Sequence, residues 1–132
     1  MARDNGHALI GGSSLSRAME CTPSVRLTEH YDDESSIYAK EGTSAHLLLE
    51  KKVKRRYGIP FEESNEELEY YSEEMEETTD IALNFISEVY EKLVEEGKHP
   101  FIASEVLVDF SDVVPEGSGS SDVVIVYDGG IY

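Results

Sequence analysis

Residues 72–110, SEEMEETTDIALNFISEVYEKLVEEGKHPFIASEVLVDF, change their hydrophobic period once, at Pro100, and that change sets the fold class. Before it, Met75, Thr79, Ala82, Phe85 or Ile86, Val89 and Leu93 recur at three- and four-residue spacing, which predicts an amphipathic helix from about Ser72 to Glu96. Gly97 then suits the left-handed position that closes a helix, and the face opposite the apolar stripe carries most of the glutamates. After Pro100, Phe101 to Phe110 alternates and is rich in Val, Ile and Phe, so it reads as a strand. The loop PEGSGSS leads to a second strand, DVVIVYD, and Asp128-Gly129-Gly130 is a hairpin turn signal with only Ile131 and Tyr132 beyond it. Either those two residues are the stub of a third strand, or the chain is cut short relative to an ancestor.

Working upstream, Ala45, Leu48, Leu49 and Val53 predict a helix from about Ile37 to Tyr57, stopped by Gly58 and Pro60. Gly42 inside it costs about 1 kcal/mol relative to Ala, so it marks either the true start or a close backbone approach. Thr22-Pro23 reads as an N-cap followed by Pro at the first helical position, opening one short helix or turn. Ser13 or Ser14 caps another short helix through Leu15, Ala18 and Met19, ending near Cys21. The expectation is a single α+β domain over residues 1–132, with helices at the amino-terminal side packed on a small carboxy-terminal antiparallel sheet. Residues 1–60 are helical with a basic run, 61–97 hold an acidic loop and the long helix, and 98–132 hold the strands. Such a sheet is unfinished, and its open edge invites pairing with a second copy, as a homodimer, or with a partner.

The chain has 132 residues, 28 Asp plus Glu against 11 Lys plus Arg, and a net charge of -17. So acidic a protein is not expected to bind nucleic acid directly, because affinity for phosphates comes mostly from Lys and Arg. No apolar run approaches the ~20 residues that cross a bilayer. The start, MARDNGHALIGGSS, lacks the basic and hydrophobic regions of a secretory signal. The single cysteine fits a reducing compartment, so a cytoplasmic location is expected. From Glu62 to Glu96 there are 14 acidic residues and one basic residue, Lys92. Glu66, Glu67, Glu69, Glu73, Glu74, Glu76, Glu77 and Asp80 are too crowded to be neutralised locally and project a negative field. One reading is a soluble, self-repelling surface. The other is a surface that imitates a phosphate backbone, since B-DNA carries one charge per ~1.7 Å of axis. The basic run KKVKRR at 51–56 cannot place all its cations on one helix face, and it suits the dipole of a solvated helix end.

Three pieces carry a resemblance. EGTSAHLLLE places Gly42, His46 and Glu50 on the middle helix, GSGSSDVVIV places Asp122 at the start of a strand, and ECTPSVRL holds Cys21 before a proline-started helix. In this order they resemble the amino-terminal half of a phage and prophage family of RecB-like, PD-(D/E)XK-type nucleases, relatives of the CRISPR-associated exonucleases. The resemblance implies that His46 and Asp122 hold a divalent metal, with Glu105 on the preceding strand as a helper; imidazole and carboxylate donors suit zinc or manganese. It implies that a following strand supplies the (D/E)XK element, whereas no D-x-K or E-x-K follows Asp122 before Tyr132. Cys21 resembles the first of four cluster-binding cysteines, but a cluster needs the usual four thiolates. Catalysis by this chain alone is therefore not expected. Read without the resemblance, His46 is a helix-face histidine with a hydrogen bond, Asp122 ends a loop, Glu50 pairs with Lys54, and Cys21 is a small buried apolar residue.

The function expected from these readings is a small acidic phage-type inhibitor, anti-CRISPR-like, that acts in the cytoplasm of an infected bacterium. It would occlude the basic nucleic-acid channel of a CRISPR effector or another basic nucleic-acid-binding protein. The alternative is the amino-terminal portion of a metal-dependent PD-(D/E)XK nuclease.

Overall fold

The computed structural model describes residues 10–11, 14–28, 36–61, 68–115 and 117–132. Its elements are α1 (Leu15–Glu20), α2 (Pro23–Leu27), α3 (Ile37–Tyr57), α4 (Glu73–Glu95), β1 (Phe101–Asp109), β2 (Ser118–Tyr127) and β3 (Gly130–Ile131). This is an α+β fold in which helices precede a three-stranded antiparallel sheet of order β1-β2-β3. The chain forms two compact units: Ser35–Val106 with Asp122–Tyr132, and Met1–Glu34 with Leu107–Ser121.

The larger unit is built on α3 and α4. Ser36 caps α3 by accepting a hydrogen bond from the Ala39 amide, and Ser72 caps α4 in the same way from Met75. At the far end of α4, Gly97 at φ 74° lets Lys98 N–H reach the Leu93 carbonyl and its own N–H reach Val94, a Schellman closure. Gly58 at φ 64° ends α3 similarly, with Ile59 N–H on the Lys54 carbonyl. Gly42 lies well inside α3, and a Cβ built there meets nothing within 4 Å. It is neither the helix start nor a close approach, because tertiary packing further along the helix outweighs its propensity cost.

Val53, Leu93, Ile102 and Ile125 are the buried apolar core, one from each of α3, α4, β1 and β2. Leu49, Tyr57, Ile86, Val89, Tyr90, Val123 and Tyr127 pack around it. The choice left open at the middle of α4 falls to Ile86, because Phe85 is exposed. The Tyr57 and Tyr90 rings meet at 4.9 Å, and Tyr57 Oη donates to the buried Ser87 hydroxyl.

Lys52 clamps the two helices. Its Nζ donates to the Glu76 carbonyl (3.1 Å), to Thr79 Oγ1 (2.9 Å) and to Asp80 Oδ1 (2.6 Å), and lies 2.8 Å from Glu76 Oε1. Burial pulls the ammonium pKa down, but the bonds and charges of Asp80 and Glu76 outweigh it, so the net shift is upward. A raised lysine contributes stability that persists at neutral pH and is lost as pH climbs through the folded value, above 10.5. Lys52→Met keeps the apolar stem and removes the ammonium. It should lower the unfolding free energy by about 2 kcal/mol, the two carboxylates being partly solvated. Urea denaturation reads this; a loss below about 0.5 kcal/mol would mean that solvent replaces these bonds at no cost.

In the sheet, Val126 stands opposite Ile131 and Tyr127 opposite Gly130, while Ile125 and Tyr132 exchange both backbone bonds. The two residues after Asp128-Gly129 thus form the short third strand. The turn is held from outside: His99 Nδ1 lies 2.6 Å from Asp128 Oδ2, and Lys98 Nζ donates to the Asp128 carbonyl. The bond from His99 holds the Asp128 carboxyl below its ordinary range.

In the smaller unit, α1 and α2 lie in sequence, joined by Cys21 and Thr22. Neither Ser14 nor Thr22 makes a side-chain cap bond, and Cys21 is exposed, not a buried apolar residue. Ile10 forms a parallel bridge to Gly117. Gly117 presses on the Phe110 ring so closely that a Cβ would fall 2.5 Å from Cε2, which explains a glycine there. β2 starts at Ser118, inside the segment read as a Gly/Ser loop, because backbone pairing needs no large side chains. No helix among the described residues is long and apolar enough to cross a membrane.

Candidate functional site

The continuous helix α3 sets His46, Glu50 and Lys54 at successive four-residue steps, hence on one face. Glu50 and Lys54 form an ion pair, as the spacing predicts. One turn earlier, His46 Nδ1 lies 3.0 Å from Oδ1 of Asp122 on β2, with both side chains more than half exposed. The Asp122 carbonyl accepts a hydrogen bond from Ser104 Oγ on β1 (3.1 Å), which fixes the strand beside it.

Glu105 follows Ser104 and is the non-glycine residue that adopts positive φ, 54°, among the described residues. A left-handed residue inside a strand is strained by about 1–2 kcal/mol. Its carboxyl is pushed above the ordinary glutamate range, first by partial desolvation and then by the charges of Glu50 and Asp122; His46 and Lys54 pull the other way. Those causes place His46, Glu50, Lys54, Glu105 and Asp122 in one electrostatic neighbourhood. Even so, among the described residues no three His, Cys, Asp or Glu side chains converge to hold a metal ion. His46 and Asp122 are brought together; Glu105 is near in charge without completing a ligand set.

The pair fits a divalent ion in one respect. Two adjacent ligands at about 2.1 Å from an octahedral ion stand about 3.0 Å apart. The 3.0 Å nitrogen–oxygen separation, that of a direct imidazole–carboxylate hydrogen bond, also matches that edge, so the geometry suits octahedral manganese, while the mixed donors alone would also suit zinc.

Residues 7–132 match the family described as proteins of unknown function, DUF2800. The chain belongs to the DUF2800 family. No curated protein and no solved structure matches it. The family region of this DUF2800 chain runs from before α1 to the end of β3, so the His46–Asp122 pair lies wholly within it.

The acidic residues singled out in this DUF2800 chain are not brought together as one row. Glu66 and Glu67 lie outside the described residues. Glu69, Glu73, Glu74 and Glu77 are exposed, whereas Glu76 and Asp80 are engaged by Lys52. Four of the five cations of the basic run are likewise engaged: Lys52 by α4, Lys54 by Glu50, Arg56 3.8 Å from Glu91, and Arg55 6.0 Å from the Phe61 ring centroid. Sequence reading missed the Lys52 clamp and the His99–Asp128 bond, since both depend on partners more than twenty residues away. It also missed the backbone of Glu105, because no residue type signals left-handed geometry at a glutamate.

Proposed function

We propose that this chain supplies part of the metal-holding half of a nuclease centre of the RecB-like, PD-(D/E)XK type. The observation that carries the reading is the His46–Asp122 pair at 3.0 Å, built from a helix and a strand far apart in sequence. Strained Glu105 beside the pair supports it, since strain persists where it serves a site. When bound, a divalent ion supplies Lewis acidity toward a phosphodiester. His46 and Asp122 hold it, and Glu105 and Glu50 add negative charge that favours a cation.

The (D/E)XK element then comes from a strand laid along β2. The Val126–Ile131 and Tyr127–Gly130 register moves back one residue along β2 for each step forward along β3. A strand that continues this register comes to lie beside Asp122. The test is a manganese titration followed by NMR. Paramagnetic broadening should begin at His46, Glu50, Glu105 and Asp122; broadening spread over the acidic surface of α4 instead would overturn the reading.

A second reading is the acidic inhibitor, which would occupy the basic nucleic-acid channel of a CRISPR effector or similar protein. It is supported by the exposed Glu73, Glu74 and Glu77 at the start of α4. It ranks second because Glu76 and Asp80 of the same row already face Lys52.

A further inference from the structure

Along the solvent side of α4, Glu74, Glu77, Ile81, Phe85, Glu88, Lys92 and Glu95 follow one another at three- and four-residue steps, which places them in one stripe of the helix. Ile81 and Phe85 are 70% and 65% exposed at the centre of this stripe, while the opposite side of the helix already supplies Leu93, Ile86 and Val89 to the core. Two large apolar side chains one turn apart therefore sit in solvent between glutamates. Lys92, one turn beyond Glu88, is the one cation among the exposed residues of α4, and the four glutamates of the stripe outweigh it. A chain of net charge -17 repels a second copy brought onto its own acidic face, whereas a basic surface is attracted to it.

We infer that this stripe docks a cationic amphipathic helix of a partner protein, with Ile81 and Phe85 as the apolar anchors and the flanking glutamates as the charged rim. The arrangement is that of a compact binding patch, in which a few large side chains carry the affinity and surrounding charges steer approach. It is separate from the His46–Asp122 pair. It also differs from phosphate mimicry, which needs charge alone and no exposed Ile or Phe.

The test uses the whole protein and two synthetic peptides of about 18 residues and identical Leu, Lys and Ala content. One places Leu at helical i, i+4 spacing and the other is its scramble. By fluorescence anisotropy at moderate salt, the amphipathic peptide should bind at least about tenfold more tightly than the scramble. Ile81→Ser with Phe85→Ser, which leaves every charge in place, should weaken it by at least about tenfold. Circular dichroism checks that the variant keeps its helices, and Ile81→Met with Phe85→Leu, which keeps an apolar stripe, should restore binding. Equal binding of the two peptides, or of the wild type and the serine variant, would show that the face reads charge only, and the inference would fail. A wild-type dimer by sedimentation that the serine change converts to monomer would also overturn it, by assigning the face to a second copy.

Discussion

Leu93→Ala should destabilise the larger unit by about 3 kcal/mol, the effect of removing most of a buried leucine and leaving a cavity. Leu93 is 5% exposed and shares the core with Val53 at 0%, Ile102 at 8% and Ile125 at 4%. Among the described residues each main element gives one buried apolar side chain, and the residues packed around these four are only partly buried. Native stability is commonly about 5–15 kcal/mol, so this single truncation removes a large fraction of it. Val94 is the natural control, being next in sequence and half exposed. Val94→Ala should cost less than about 1 kcal/mol. Urea unfolding of both variants by circular dichroism makes the comparison, and equal losses would mean that the four-residue core is not what holds α4 to the sheet.

The contrast between Leu93 and Val94 also shows what was legible before the structure. The three- and four-residue stripe of α4 named Leu93 and Val89 for the core, and the alternation after Pro100 named the strands. Both are periodic signals that backbone geometry enforces locally. Ser72 and Gly97 could be read as terminal residues because their chemistry is local too: a hydroxyl for an orphan amide, and a residue free to adopt positive φ. What periodicity did not decide was which of Phe85 and Ile86 turns inward. Phe85 keeps three- and four-residue steps to Ala82 and Val89, while Ile86 keeps seven-residue steps to Thr79 and Leu93; adjacent helix residues differ by about 100° in direction, and only Ile86 falls near the centre of the stripe.

The site was legible in a different way. His46 and Asp122 were singled out through a resemblance in the order of motifs, since helix spacing relates His46 to Glu50 but says nothing about a strand 76 positions later. That relation exists only once Val53 and Ile125 share a core, carrying the helix face into contact with Asp122, which lies in the middle of β2 and not at its start. The acidic stretch was easier to count than to interpret. Its charge was visible in full, yet the fate of Glu76 and Asp80 depended on Lys52, which in sequence belonged to a basic run thought to face solvent.

Replacing His46 and Asp122 together by alanine should reduce manganese affinity by more than about a hundredfold, since losing even a supporting partner of a metal ligand costs about ten- to a hundredfold. Two substitutions at Glu105 separate its charge from its backbone. Glu105→Gln removes the repulsion with Glu50 and Asp122 but keeps the left-handed residue. A carboxyl raised in the fold binds protons that the unfolded chain has already released, so its contribution to stability declines as pH rises from the ordinary glutamate value through the folded one. The glutamine variant should therefore gain on the wild type as pH moves from acid to neutral. Glu105→Gly relieves the strain as well, and should be the more stable of the two at neutral pH by about 1 kcal/mol. Both should bind manganese more weakly than the wild type. A glycine variant that gained stability with undiminished affinity would remove Glu105 from the site and leave the strained glutamate without a role in it.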